Sequence, residues 1–243
     1  MSKPIRLGIL TPSSNTSLEP LTSAIISSLQ NPNITVHFSR FPVTKISLDA
    51  SGLGQFETEK ILAAVQLLAD AEVDIIGWSG TSSGWLGFEA DERLCAAITE
   101  ATGIPATTSV LALNKACRIF GVRELGFVTP YTDDVQVAIV KAYRGIGMDA
   151  RKEKHLGMSK NTAFAAIGED TLDGMVSEVV EMKVDAVTTF CTNLRAAQRV
   201  AYWEGEHGVP VFDTVSTVIW DMLRYFKIDM SPLKDWGLLF TKQ

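Results

Sequence analysis

Val184-Asp-Ala-Val-Thr-Thr-Phe-Cys191-Thr-Asn193 is a short apolar run that ends in a thiol. Val184, Ala186, Val187 and Phe190 favour a buried strand, bounded by Lys183 before it and by polar Thr192-Asn193 after it. From Leu194 to Glu206 the pattern turns helical, which places Cys191 where a strand gives way to a helix, with Thr192 and Asn193 as N-cap candidates. Free backbone N–H groups at such a junction bind anions and lower a thiol's pKa from its free value of about 8.5. A free Cys is also commonly a plain core residue. This stretch alone leaves both readings open, and the rest of the chain has to decide between them.

Working outward, the same strand–loop–helix unit recurs on both sides. Toward the N-terminus, strands are expected at Ile5–Leu10, Ile34–Phe41, Val73–Trp78 and Ile104–Thr108. Helices are expected at Leu18–Leu29, Phe56–Ala71, Glu89–Thr102 and Val110–Phe120, the last ending at Gly121, and Ser51–Gly54 reads as a flexible loop. The pattern then restarts. Strands are expected at Glu124–Val128, Asp149–Leu156, the Cys191 strand and Gly208–Phe212, with helices from Asp134 to Gly145, Thr171–Met182 and Val215–Phe226. Gly157–Gly168 reads as a loop. Each half opens on a strand closed by Thr-Pro, at Thr11-Pro12 and at Thr129-Pro130. This weak internal repetition predicts an α/β protein of two pseudo-symmetric, Rossmann-like doubly wound lobes with an active site in the cleft between them. The expected lobes are residues 1–120, joined by the C-terminal helix and tail 214–243, and residues 121–213.

Hydrophobic residues make up 46% of the 243 and charged residues 21%, the balance of an ordinary globular protein. With 22 basic against 28 acidic residues the net charge is −6, which argues against nucleic acid or an anionic membrane as partner. No apolar run is long enough to span a bilayer, and the N-terminus carries no signal-peptide pattern, so a cytoplasmic setting is expected. Cys95, Cys117 and Cys191 are odd in number and widely spaced, so neither a disulfide framework nor a zinc site is expected. Cys95 and Cys117 lie in helical patterns among apolar neighbours and read as structural.

Four strand ends carry polar loops. Ser13-Ser-Asn-Thr-Ser17 packs hydroxyls and an amide ahead of a helix, more than simple capping by Ser14, Asn15 or Thr16 requires. Ser79-Gly-Thr-Ser-Ser-Gly84 adds glycines, which let backbone approach a ligand. Residues 129–133 bring the phenol of Tyr131, and residues 191–193 bring the thiol. If the lobes face one another, these loops converge on one cleft rich in neutral donors, suited to a carboxylate or oxyanion. No serine triad, metal set, P-loop or dinucleotide fingerprint accompanies them, and no cofactor is expected.

Thr11-Pro-Ser-Ser-Asn-Thr16, Gly80-Thr-Ser82, Val128-Thr-Pro-Tyr131, Asn161 and Cys191 resemble the aspartate/glutamate racemase superfamily, and within it the maleate cis-trans isomerase and arylmalonate decarboxylase branch. The resemblance covers nearly the whole chain and implies the same two-lobed fold. Many members place one Cys in each lobe, on opposite faces of the substrate. Here the first-lobe position is Gly80, which matches the decarboxylase pattern of a Gly-Thr-Ser loop and a single second-lobe Cys. The resemblance then implies that Thr81, Ser82, Tyr131 and the N–H of Thr192 form a dioxyanion hole and that Cys191 protonates an enediolate. The loop Pro12, Ser13, Ser14, Asn15, together with Asn161, is more isomerase-like and implies substrate-carboxylate binding, with Thr192 and Asn193 beside it. The leading expectation is a cofactor-independent decarboxylase of a small malonate-type or related dicarboxylic acid, with a homo-oligomer as a possible assembly. The alternatives are an isomerase or racemase with an unusual one-Cys site, and a non-catalytic carboxylate-binding member.

Overall fold

The computed structural model describes residues 4–242; the outermost positions of the expected lobe limits, residues 1–3 and 243, lie outside the described residues. The first half runs β1 (Ile5–Pro12), α1 (Leu18–Ser28), β2 (Ile34–Phe41), α2 (Ala50–Leu53), α3 (Thr58–Asp70), β3 (Ile75–Trp78), α4 (Ser83–Leu86), α5 (Phe88–Thr102), β4 (Ala106–Thr108) and α6 (Ser109–Phe120). The second runs β5 (Leu125–Thr129), α7 (Asp133–Gly145), β6 (Glu153–His155), α8 (Asn161–Phe164), α9 (Glu169–Glu181), β7 (Ala186–Thr189), α10 (Val200–His207), β8 (Val211–Asp213) and α11 (Thr214–Tyr225).

The strands form two four-stranded sheets with equivalent orders, β2-β1-β3-β4 and β6-β5-β7-β8, and every pairing is parallel. Parallel sheets are covered on both faces, which is why β3, β5 and β7 read as continuous apolar or hydroxyl runs with no solvent-facing alternation and are buried throughout. Helix α6 stops where the sequence predicts. Gly121 has φ of 70°, and the N–H groups of Gly121 and Val122 return to the carbonyls of Arg118 and Cys117, a left-handed cap that an L side chain rarely adopts. Helix α11 packs against α6 and lies over the first sheet, where Val218 and Met222 leave no space for a Cβ on Gly77. Conversely, Phe120 of α6 meets Phe212 of β8, with ring centroids 5.0 Å apart.

The structure departs from the expected elements at four places. No helix begins at Leu194: the chain turns after Cys191, passes through a 3-10 turn at Ala197–Arg199, and enters α10 only at Val200. The reason is that the Asn193 carbonyl accepts from Ser17 Oγ (3.1 Å) and is withdrawn from any helix starting there. Thr192 and Asn193 are therefore not N-caps. The strand expected at Asp149–Leu156 shrinks to Glu153–His155, because the Asp149 side chain turns back to accept from the Arg151 N–H (3.1 Å). The loop at Gly157–Gly168 contains the one-turn helix α8, anchored by buried Phe164. The loop at Ser51–Gly54 is also helical, capped by the Asp49 carboxylate on the Gly52 N–H (2.8 Å). Among the described residues no helix is long and apolar enough to cross a membrane.

Candidate active site

The C-terminal ends of β1, β3, β5 and β7 meet at one small cavity between the sheets. Gly80, Thr81, Ser82, Tyr131, Cys191 and Thr192 line one side of it. Pro12 and Asn161 border it as well, and its roof is apolar: Val43, Ile46, Phe56, Trp78 and Trp85. The cavity holds about 20 Å³, room for about one water. No lining residue is an acid or a base other than the thiol and the phenol.

Cys191 is 2% exposed. The Tyr131 phenol and the backbone N–H groups of Asn193 and Leu194 face its sulfur and favour the thiolate, but burial outweighs them and pushes the thiol up to about 11. The lowered thiol pKa expected at a helix start is thus overturned: the helix is absent, and the dry surroundings dominate. At neutral pH Cys191 is an S–H. Tyr131 is likewise held neutral by burial, and its hydroxyl shares a 2.7 Å hydrogen bond with Thr81 Oγ1 across the two halves. The result is a chain of neutral groups, Thr81–Tyr131–Cys191, that can donate a proton or hydrogen bonds but holds no resident charge. Cys95 and Cys117 are both pushed up to about 12, chiefly by burial, and lie away from this cavity.

The loop after β1 serves mainly as a clasp. Ser13 Oγ donates to the Val43 carbonyl and accepts from its N–H, and Ser14 Oγ also donates to that carbonyl. Asn15 Oδ1 accepts from the N–H groups of Ser17 and Leu18, so it caps α1, while its Nδ2 reaches Thr192 Oγ1 (3.1 Å). Asn193 completes the clasp from the other half. Its Oδ1 accepts from the Thr16 and Ser17 N–H groups (3.0 and 3.2 Å) and its Nδ2 donates to the Asn161 carbonyl (2.7 Å). Of the residues expected to bind substrate, Pro12, Asn161 and Thr192 reach the cavity wall, whereas Ser13, Ser14, Asn15 and Asn193 stand behind it. The side chains of Ser13, Ser14, Asn15, Asn161 and Asn193 all hold protein partners, Asn161 Nδ2 donating to Ser14 Oγ (2.8 Å).

Gly80 and Cys191 occupy equivalent places, each the second residue beyond its strand, after β3 and β7. A Cβ on Gly80 would overlap the indole of Trp78. Trp78 is 1% exposed and packed against Phe41, so it has nowhere to go. In the second half the residue equivalent to Trp78 is the slim Thr189, whose hydroxyl donates to Asp213 (2.7 Å) and leaves room for a side chain at 191. The asymmetry between one thiol and none is therefore built into the strand before the loop. Gly80→Cys is expected to cost about 1–3 kcal/mol by overpacking, and pairing it with Trp78→Leu should recover much of that loss; urea midpoints of the two variants test this.

Sequence reading missed the roof and the buried carboxylates. Phe56 reads as the first residue of a helix but lies on the 3-10 turn before it, and Val43 and Ile46 follow β2 without a motif. Asp91 accepts from Ser83 Oγ and Thr108 Oγ1 (2.7 and 2.5 Å), holding the 79–84 loop against β4. Asp213 accepts from Thr189 and from the first N–H groups of α11. Burial pushes both carboxyls up to about 6. Because the folded pKa lies above the unfolded one, each contributes stability below about pH 4 that is lost as the pH rises through 6, on the order of 3 kcal/mol for a fully buried group. Asp213→Asn keeps the cap acceptor and should flatten part of the fall in stability between pH 4 and 7; an unchanged slope in denaturation at several pH values would assign the titration elsewhere.

A parallel two-sheet α/β protein with a lone thiol facing neutral donors across the lobes defines the class. The family model for arylmalonate decarboxylase matches residues 37–238, and the chain belongs to that family. It is 26% identical to maleate isomerase of Pseudomonas putida over 243 residues, covering 96% of this chain and 95% of that protein. It is 26% identical to arylmalonate decarboxylase of Bordetella bronchiseptica over 201 residues, covering 79% of this chain and 84% of that protein. The family's relatives thus include both isomerases and a decarboxylase. Among solved structures, a Nocardia farcinica maleate cis-trans isomerase variant with a covalently bound succinylcysteine intermediate superposes with a TM-score of 0.89 at 22% identity, over 98% of this chain and 99% of that one. An arylmalonate decarboxylase structure superposes with a TM-score of 0.79 at 21% identity, over 98% and 100%.

Proposed function

We propose that the protein is a cofactor-independent decarboxylase of a small malonate-type or related dicarboxylic acid. One carboxylate of the acid lies on the donors of Thr81, Ser82, Tyr131 and the Thr192 N–H, and the other lies toward the apolar roof. The bond from the α-carbon to that second carboxyl breaks, carbon dioxide leaves, and the electron pair passes into the remaining carboxylate as an enediolate. The neutral donors stabilise this added charge more than the starting carboxylate, which is the condition for acceleration. Cys191 then gives its proton to the α-carbon and regains one from solvent. The observation that carries the reading is the Trp78 indole over Gly80, which leaves thiol chemistry to one face. A racemase needs a base on one face and an acid on the other, whereas loss of carbon dioxide generates the carbanion with no base at all. The protonated state of Cys191 agrees, since it favours an acid over a nucleophile.

Two observations favour a second reading, a maleate-type isomerase: Asn161 borders the cavity, and the similarity to the Pseudomonas maleate isomerase runs over nearly the full length of both chains. Proton NMR of a panel of small dicarboxylates in deuterium oxide separates the two. The decarboxylase reading expects a shorter acid carrying one deuteron at the former α-carbon, with release of carbon dioxide. Conversion of maleate to fumarate without decarboxylation of any malonate overturns it in favour of the isomerase. Binding without turnover, unchanged by Cys191→Ser, points to a carboxylate-binding protein.

A further inference from the structure

Phe56, Trp78 and Ser82 also line a second cavity, which Cys191 does not border. This outer cavity holds about 150 Å³, several times the volume beside Cys191, and the three shared residues form the wall between the two. Its far side is made by α5 and the start of α3, including Thr58, Ala90, Asp91, Arg93 and Leu94. Asp91 is buried there and already accepts from Ser83 and Thr108. Arg93 is different. It is exposed, and among the described residues it forms neither an ion pair nor a side-chain hydrogen bond. No cation lines the inner cavity, and Arg93 is the one cation among the residues lining the outer cavity.

The wall is thin at Phe56. Trp78 and Ser82 are buried and fixed, but Phe56 is only half-buried, on a 3-10 turn at Gly54–Phe56, with its ring edge-on to Trp85 at 6.2 Å between centroids. Of the three shared wall residues, Phe56 is the one that is not buried. The inner cavity as it stands holds about one water, so any organic acid reacting at Cys191 has to extend somewhere, and the apolar roof offers no partner for a second charge.

We propose that the acid carries, besides the two carboxyls at its α-carbon, a side chain whose distal carboxylate passes Phe56 and pairs with Arg93, making Arg93 and Phe56 determinants of chain length. This rests on the cavity beside Cys191 being the reaction site. The test is isothermal titration of the whole protein with malonate, succinate, glutarate and adipate, and with hexanoate as a chain-length control lacking the distal charge. Affinity should rise along the diacid series. Arg93→Gln should weaken the longest well-bound diacid about five-fold, the scale of an exposed ion pair, and leave hexanoate unchanged. Phe56→Ala should strengthen the longer diacids relative to malonate. A flat series, no binding by any diacid, or an equal effect of Arg93→Gln on hexanoate and adipate overturns the proposal. These measurements do not depend on turnover. Carbon dioxide release from a malonate together with a flat series removes the Arg93 assignment alone, and a rising series with no carbon dioxide release from any malonate removes the decarboxylase assignment alone.

Discussion

Cys191→Ala should lower turnover by about 100-fold or more while the protein stays folded, the scale expected when a general acid is lost from its position against the substrate. The sulfur sits just beyond β7, where Tyr131 and two backbone N–H groups face it. Alanine leaves a small void that water can enter, and slow protonation by that water sets the residual rate. Cys191→Ser should fail almost as badly, because a hydroxyl is a far weaker acid than the thiol. Since burial holds the thiol protonated to about pH 11, the step that uses it should show no basic limb between pH 7 and 9. Alkylation by iodoacetamide at pH 8 should be slow, which peptide mass spectrometry measures. Near-wild-type turnover in a folded Cys191→Ala protein would remove the thiol from the mechanism.

If the protein is the decarboxylase proposed, Ser82→Ala and Thr81→Val each remove a donor to the enediolate, and each should cost about 2.7–4 kcal/mol, or roughly 100- to 1000-fold in rate. The loss should fall mainly in kcat, because on this reading the carboxylate held by these groups gains charge as carbon dioxide leaves. Thr81→Val also frees the Tyr131 hydroxyl from its 2.7 Å partner, so its effect should not add simply to that of Tyr131→Phe. A rise in KM at constant kcat would make these residues ordinary substrate anchors.

The two-lobed fold is legible because parallel strands have to be apolar on both faces, and because the Thr-Pro turns at Thr11 and Thr129 mark equivalent strand ends. The convergence of Gly80, Thr81, Ser82, Tyr131 and Cys191 follows from that topology, since ligands in such sheets gather at the strand C-termini. What the sequence hides is how polar groups are shared between distant segments. Nothing in Thr192-Asn193 reveals that Asn193 serves a helix more than 170 positions earlier, and that partnership is what removes the helix expected at Leu194. The thiol's environment is hidden for the same reason, because dryness depends on Val43, Ile46, Phe56 and Trp85, which carry no motif. Trp78 reads as one more core residue, and only three dimensions show that its ring fills the space a second thiol would need.

Helix α11 also bears on how the chain is made. The face of the first sheet around Gly77 is complete once β4 is synthesised, yet the residues that cover it, Val218 and Met222, follow roughly a hundred positions later. At ribosomal speeds of about 5–20 residues per second, that apolar face stays uncovered for about 5–20 s. The first half of the repeat is therefore uncovered without α11, and a chain severed at the Gly121 turn should give an N-terminal fragment that is insoluble alone and regains structure only when synthesised with the remainder. The last helix is the closing step of the first lobe, so a truncation near the C-terminus would strike at the N-terminal half.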